Sequence, residues 1–165
     1  MSAESTRRAQ AAWFAASGAI IALDQLAKTL VLQHFAPGES VPLAAFFNLV
    51  LVFNKGAAFS FLAGQPGWQT PLLAVFSAAA ALLLAWLIWK HAARRLFCAG
   101  LALILGGALG NLVDRLRFGH VVDFLDFHAS GWHFPAFNVA DSAITVGAAL
   151  LIYEGFLHDG RPRAA

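Results

Sequence analysis

The chain has 165 residues, enough for one domain, but 59% of them are hydrophobic and 12% are charged, against about half and a quarter in soluble domains. A soluble domain of this size could not bury so much apolar surface, so the composition predicts an integral membrane protein. The formal net charge is +2, and the eleven Lys and Arg residues form no basic stripe. This excludes a nucleic-acid-binding surface.

Four apolar stretches are each long enough to cross a hydrocarbon core of about 30 Å as a helix, which takes roughly 20 residues. They cover residues 11–32, 71–89, 96–113 and 137–157. The first resembles a secretory signal peptide, but Asp24-Gln25 follows it in place of a small-residue cleavage site. We therefore expect an uncleaved first span. The single cysteine, Cys98, lies inside an apolar run and is expected to fill the core.

The basic residues predict the direction of the spans, because cytoplasmic loops carry the excess of Lys and Arg. Seven lie on the side of the termini and four on the other: Arg7, Arg8, Lys90, Arg94, Arg95, Arg161 and Arg163 against Lys28, Lys55, Arg115 and Arg117. We expect both termini in the cytoplasm. Six of the nine acidic residues gather at the outer boundary instead, namely Asp24, Glu39, Asp114, Asp123, Asp126 and Asp141.

A long outer segment, residues 38–62, separates the first two spans and is rich in Val, Phe and Leu. This composition predicts a few short strands. Asn54-Lys55-Gly56 interrupts the apolar run, which indicates a bulge or tight turn.

Ionisable residues near the spans mark candidate functional positions. Asp24 and Lys28 are four apart with the acid first, which predicts a helical ion pair, although contact with substrate remains an alternative. Asn111 and Asp114 are three apart and share a helix face. Asp114 beside Arg115 fits a salt-bridged scaffold as well as a catalyst.

The strongest candidates for chemistry are Asp123, predicted in the loop after the third span, and Asp141, predicted in the first turn of the fourth. Two carboxyls in one apolar site favour one proton between them, which supplies a general base and a general acid without a metal. If Asn138 is the N-cap, the helix dipole favours the anion of Asp141, so we assign Asp141 the base and Asp123 the proton donor. The alternative is that Asp141 only caps the helix and Asp123 faces water.

A metal site built from Asp123, Asp126, His128 and His133 is a further alternative, since Asp and His are zinc ligands. Their spacing matches no compact ligand motif, and we expect neither a metal nor a cofactor.

Several motifs together resemble the signal peptidase II family, the bacterial lipoprotein signal peptidases. They are Asp24-Gln25 with Lys28, residues 54–60 (NKGAAFS), Gly110-Asn111 through Asp114-Arg115, Val122-Asp123-Phe124 and residues 137–142 (FNVADS). They lie in order across all four predicted spans, so chance similarity is excluded.

The resemblance implies a four-helix fold with a small extracytoplasmic β-cradle and a short outer helix, in the bacterial cytoplasmic membrane. It implies an aspartic endopeptidase that cleaves prolipoproteins before a diacylglyceryl-modified cysteine and is inhibited by globomycin-type cyclic peptides. Asp123 and Asp141 match the catalytic pair. The other functional polar positions of the family match Asp24, Lys28, Asn54, Asn111, Asp114, Arg115 and Asn138.

Two alternatives from other classes are a small ion-coupled transporter or proton channel, and a scaffold that binds lipid or partner helices through its Gly and Ala faces. For the peptidase, we expect the lipidated cysteine to enter laterally from the bilayer. We also hypothesise that residues 54–61 gate or position the substrate, with Gly56 supplying backbone freedom, and take no part in proton transfer.

Overall fold

The structure is a computed structural model and describes residues 2–56 and 66–159. The described residues form four long helices: α1 (Ala3–His34), α2 (Gln69–His91), α3 (Arg95–Phe118) and α4 (Val139–Asp159). All four are long and apolar enough to cross a membrane. The four predicted spans are therefore confirmed, and each helix runs past its predicted boundaries at one or both ends.

Helix α3 is the centre of the bundle and packs against α1, α2 and α4. Its glycines allow the close approach, because Gly106 lies against α1, and Gly100 and Gly107 lie against α4. The buried Cys98 lies on the same helix and fills the core as predicted. The start of α1 and the end of α4 lie at one end of the bundle, where Gln10 bonds to the end of α2 and Glu154 bonds to Arg94.

A four-stranded antiparallel sheet covers the opposite end of the bundle, with the order β1 (Ser40–Ala44), β2 (Phe47–Asn54), β3 (Val121–Ala129) and β4 (Trp132–His133). The strands predicted between α1 and α2 are confirmed by β1 and β2. The loop predicted around Asp123 is wrong, because this residue lies on β3. A two-residue turn, Ser130-Gly131, with positive φ at both positions joins β3 to β4.

A bulge in β2 brings polar residues of two strands onto one face. Leu49 pairs with Leu125 and Val52 pairs with Asp123, so three residue steps on β2 match two on β3. One extra residue turns the following side chains to the other face. As a result, Asn54 and Asp123 share a face as diagonal neighbours.

The predicted irregularity at Asn54-Lys55-Gly56 is a tight turn, since the Gly56 N–H donates to the Asn54 side-chain oxygen at 2.9 Å. The sheet's bulge lies earlier, between Leu49 and Val52.

We expect Gly107→Ala to lower the thermal stability of the purified protein, because the added methyl would overlap the carbonyl oxygen of Ala140 on α4. Overpacking of this kind typically costs about 1–3 kcal/mol. Gly18→Ala is the matched control, since nothing lies within 4 Å of its added methyl and helix propensity favours Ala. Equal melting temperatures for the two variants in detergent would contradict the close packing of α3 on α4.

Candidate active site

A buried cluster of charges joins α1 to α3 at the sheet end of the bundle. The ammonium of Lys28 lies 2.8 Å from a carboxylate oxygen of Asp24 and 2.8 Å from one of Asp114. Lys28 is 2% exposed, and both acids are fully buried. The predicted Asp24–Lys28 ion pair is therefore confirmed.

Asp114 is salt-bridged, as one of its two predicted roles required, but its partner is Lys28 and not the adjacent Arg115. Adjacent residues on a helix do not face each other, so sequence neighbours make poor partners there. Arg115 instead donates to the backbone oxygens of Gly56 at 3.1 Å and Asn111 at 3.5 Å. It thereby ties the turn after β2 to α3.

The two buried acids also hold the backbone immediately before each candidate catalytic residue. Asp24 accepts the N–H of Ala140 at 2.9 Å, and Asp114 accepts the N–H of Val122 at 3.1 Å. The residues that follow are Asp141 and Asp123.

Gln25 also belongs to this charge cluster, although it was not among the predicted site residues. Its amide donates to Asp114 at 2.8 Å, to Asp24 at 3.3 Å and to the backbone oxygen of Gly110 at 3.2 Å. Its place in the sequence, a polar amide next to Asp24 inside a span, could have marked it as a candidate site residue.

Asp123 and Asp141 belong to one hydrogen-bond network centred on Asn138. The Asn138 amide donates to Asp123 at 2.7 Å, and its oxygen accepts the backbone N–H of Asp141 at 2.9 Å, which makes it the predicted N-cap of α4. Asn54 donates to the other oxygen of Asp123 at 3.0 Å, and Asn111 donates to Asp141 at 2.8 Å. One asparagine thus holds the carboxyl of Asp123 and the backbone of Asp141, and the charge of Asp141 lies near enough to raise the pKa of Asp123.

The two carboxyls have different surroundings. Asp123 is 2% exposed. Its burial and the nearby charge of Asp141 raise the pKa of Asp123 to about 7. Hydrogen bonds from Asn54 and Asn138 act in the opposite direction and lower this pKa. Asp141 is half-buried and lies in the first turn of α4, where the helix dipole favours an anion. Burial therefore favours the protonated form of Asp123, and the helix terminus favours the anion of Asp141.

A groove of about 690 Å³ begins at the half-buried carboxyl of Asp141 and extends along the bundle. Helices α2 and α4 both pack on α3 without packing extensively on each other, and the groove lies between them. Its sheet end is polar, with Asn54, Asn111, Arg115 and Asp141. Its remaining length is mostly apolar and includes Leu73, Phe76, Leu84, Ile104 and Val146. It suits a ligand with a polar group at one end and a long apolar part.

The residues of the alternative metal site are divided between two places. Asp126 accepts from His133 at 2.9 Å and from Asn48 at 2.8 Å, whereas Asp123 belongs to the network of Asn138. Within residues 2–56 and 66–159, no three His, Cys, Asp or Glu side chains are arranged to hold a metal ion.

The hypothesised gating segment, residues 54–61, lies largely outside the described residues, because the structure does not describe 57–65. Its first residue, Asn54, contacts Asp123 directly. This end of the segment therefore belongs to the surroundings of the carboxyl pair.

Four helices long and apolar enough to span a membrane define a multi-pass membrane protein, with an apolar groove that ends at a carboxyl. Residues 16–157 match the signal peptidase (SPase) II family. The chain therefore belongs to this family of membrane aspartic peptidases.

Curated relatives and a solved structure agree with the family match. The lipoprotein signal peptidase of Janthinobacterium sp. (strain Marseille) is 52% identical over 90% of each chain. That of Ralstonia nicotianae is 60% identical over 81% of this chain and 78% of the relative. A bacterial membrane enzyme solved by the in meso method superposes with a TM-score of 0.83 at 26% identity, covering 94% of each chain.

Proposed function

We propose that this peptidase removes signal peptides from prolipoproteins by cleaving before a diacylglyceryl-modified cysteine, with Asp123 and Asp141 as the catalytic pair. The observation that carries the proposal is the network in which Asn138 and Asn111 link the buried carboxyl of Asp123 to that of Asp141, which lies at the polar end of an apolar groove. A single proton between two such groups is the requirement for hydrolysis by water alone.

The assignment of roles follows from the surroundings of each acid. Asp141 borders the groove, accepts an N–H from Asn111 and lies at a helix N-terminus, which favours its anion and makes it the general base. Asp123 is buried and has a pKa of about 7, so it carries the proton as the general acid.

The reaction balances with one water. Its oxygen attacks the carbonyl carbon of the peptide bond before the modified cysteine, while Asp141 takes one water proton. Asp123 gives its proton to the cysteine nitrogen as the carbon–nitrogen bond breaks. The products are a signal peptide with a new carboxyl end and a lipidated protein with a new amino end, and a proton then returns from Asp141 to Asp123.

The groove accounts for the lipid part of the substrate. Each methylene transferred out of water contributes about 0.8 kcal/mol, so an acyl chain stays in an apolar environment throughout. A groove open between α2 and α4 allows the lipidated cysteine to enter sideways from the bilayer with its acyl chains against Leu73, Phe76 and Leu84. Globomycin-type cyclic peptides, which also join polar and apolar parts, are expected to compete for the same groove.

The transporter alternative requires ionisable groups along the depth of the bilayer. Among the described residues, Asp24, Lys28, Asp114 and Asp141 instead gather at the sheet end of the bundle, and Glu154 pairs with Arg94 at the other. This clustering supports a reaction at one membrane boundary.

We expect Asp123→Asn and Asp141→Asn each to lower cleavage of a lipidated precursor by 10²-fold or more, of the order that general acid–base groups contribute. An amide can neither accept nor deliver the required proton. Gel-based cleavage assays on the purified protein measure this, with chelator present because the pair needs no metal. Asp126→Asn is the matched control, a carboxyl on the same strand whose partners are Asn48 and His133. Retention of more than about a tenth of the activity in either variant would remove that residue from the pair.

We expect kcat/KM to fall as pH rises through about 7, because the reaction needs Asp123 protonated and its pKa is raised to about 7. Asn54→Ala removes a hydrogen bond that favours the ionised carboxyl, so the pKa of Asp123 rises further and the fall moves to higher pH. Asn48→Ala on the same strand is the control, since its amide bonds to Asp126. An unmoved profile for Asn54→Ala, or an equal shift in both variants, would contradict Asp123 as the acid.

We further propose that the sheet and the carboxyl pair face outward and that both termini lie in the cytoplasm of a bacterial inner-membrane protein. The seven-to-four distribution of basic residues supports this orientation. Reporter fusions are expected to be active in the cytoplasm at the C-terminus and outside when inserted after Gly38. The reverse pattern would place the proposed active site on the cytoplasmic face.

A further inference from the structure

Lys28 has every donor engaged. An ammonium carries three N–H bonds and no acceptor, and its nitrogen lies 2.8 Å from Asp24, 2.8 Å from Asp114 and 2.9 Å from the side-chain oxygen of Asn111. With three partners and 2% exposure, it has no donor left for a substrate. The alternative of direct substrate contact by Lys28 therefore lacks support.

A rotation of about 180° would exchange the oxygen and the nitrogen of the Asn111 amide. Its oxygen accepts from Lys28 at 2.9 Å and from Asn138 at 3.2 Å, and its nitrogen donates to Asp141 at 2.8 Å. The reversed amide would turn donors towards the ammonium and an oxygen towards the carboxylate. Both contacts would be repulsive.

Lys28 is the strongest of the partners that favour this direction. The Asn138 amide donates to the same oxygen at 3.2 Å while it also donates to Asp123, whereas the charged Lys28 donates at 2.9 Å and can only donate. The direction of donation therefore starts at Lys28, passes through Asn111 and ends at Asp141.

We propose that Lys28 is a positioning residue of the reaction, which holds the Asn111 amide so that its nitrogen always donates to Asp141. This inference rests on the proposed function, in which Asp141 acts as the carboxylate base. Without Lys28, only the weaker Asn138 donor and Asp141 itself favour this orientation, so the reversed amide is less disfavoured and Asp141 faces an oxygen in part of the molecules. The chemical step then slows, while the groove that binds the substrate is unchanged.

The test compares Lys28→Met, Asn111→Ala and the double variant in steady-state cleavage of a lipidated precursor peptide by the full chain. We expect each single variant to lower kcat by about 10-fold to 10²-fold. Lys28 does not line the groove, so Lys28→Met is expected to leave KM within about twofold. The double variant is expected to match Asn111→Ala, because Lys28 acts through Asn111. Lys90→Met, an exposed lysine at the opposite end of the bundle, controls for the loss of a lysine.

A second variant keeps the test decisive, since Lys28→Met leaves two buried acids without a counter-ion. Lys28→Met combined with Asp24→Asn and Asp114→Asn removes all three charges and keeps side-chain oxygens for the N–H groups of Ala140 and Val122. We expect it to fold and to bind a globomycin-type inhibitor, yet to retain the low kcat.

Three outcomes would overturn the inference: a wild-type kcat in the charge-free variant, a multiplicative loss in the double variant, or failure of both lysine variants to fold. Each would make Lys28 a structural counter-ion only. Failure of the proposed function is a separate result, because the unmodified enzyme would then not cleave the precursor.

Discussion

The burial of the Lys28 ammonium between Asp24 and Asp114 is the constraint on which the rest of the structure depends. Removing an ion from water costs several kcal/mol, which is offset only when each charge finds good partners. Here the second oxygen of Asp24 accepts the N–H of Ala140 on α4, and the oxygen of Asp114 that faces Lys28 also accepts the N–H of Val122 on β3. The charges are therefore satisfied only when both segments that carry the proposed catalytic residues have docked, which couples the stability of the bundle to the geometry of the site.

Different secondary structures keep the two carboxyls unlike. Asp123 is buried on β3, which lies between β2 and the segment around Phe137. Strand β2 supplies Asn54 as a diagonal neighbour only because its bulge turns that side chain to the same face. The start of a helix holds Asp141 at the edge of the groove, where water and a peptide bond can reach it. Burial favours the neutral acid and the helix terminus favours the anion.

Much of this could be predicted from sequence, and the failures have physical causes. Spans are apparent because a bilayer demands long apolar runs, and Asp24 with Lys28 follows from helical spacing. β3 was missed because its buried, continuous apolar run around Asp123 lacks alternation, although Ser130-Gly131 beyond it is a turn signal. The β2 bulge and the pairing of Lys28 with Asp114 depend on contacts between segments distant in sequence, which no local pattern contains.

Asn138 links the start of α4 to the surroundings of Asp123. Its oxygen caps α4 and its nitrogen donates to Asp123, so the orientation that starts the helix is also the one that offers a donor to the proposed acid. Rotating this amide would cost the cap, typically about 1 kcal/mol, and would set an oxygen against Asp123. Since Asn111 is held from the other side by Lys28, both amides that contact the carboxyl pair have one favoured direction. In the proposed mechanism, the proton can then return from Asp141 to Asp123 without rotation of either amide.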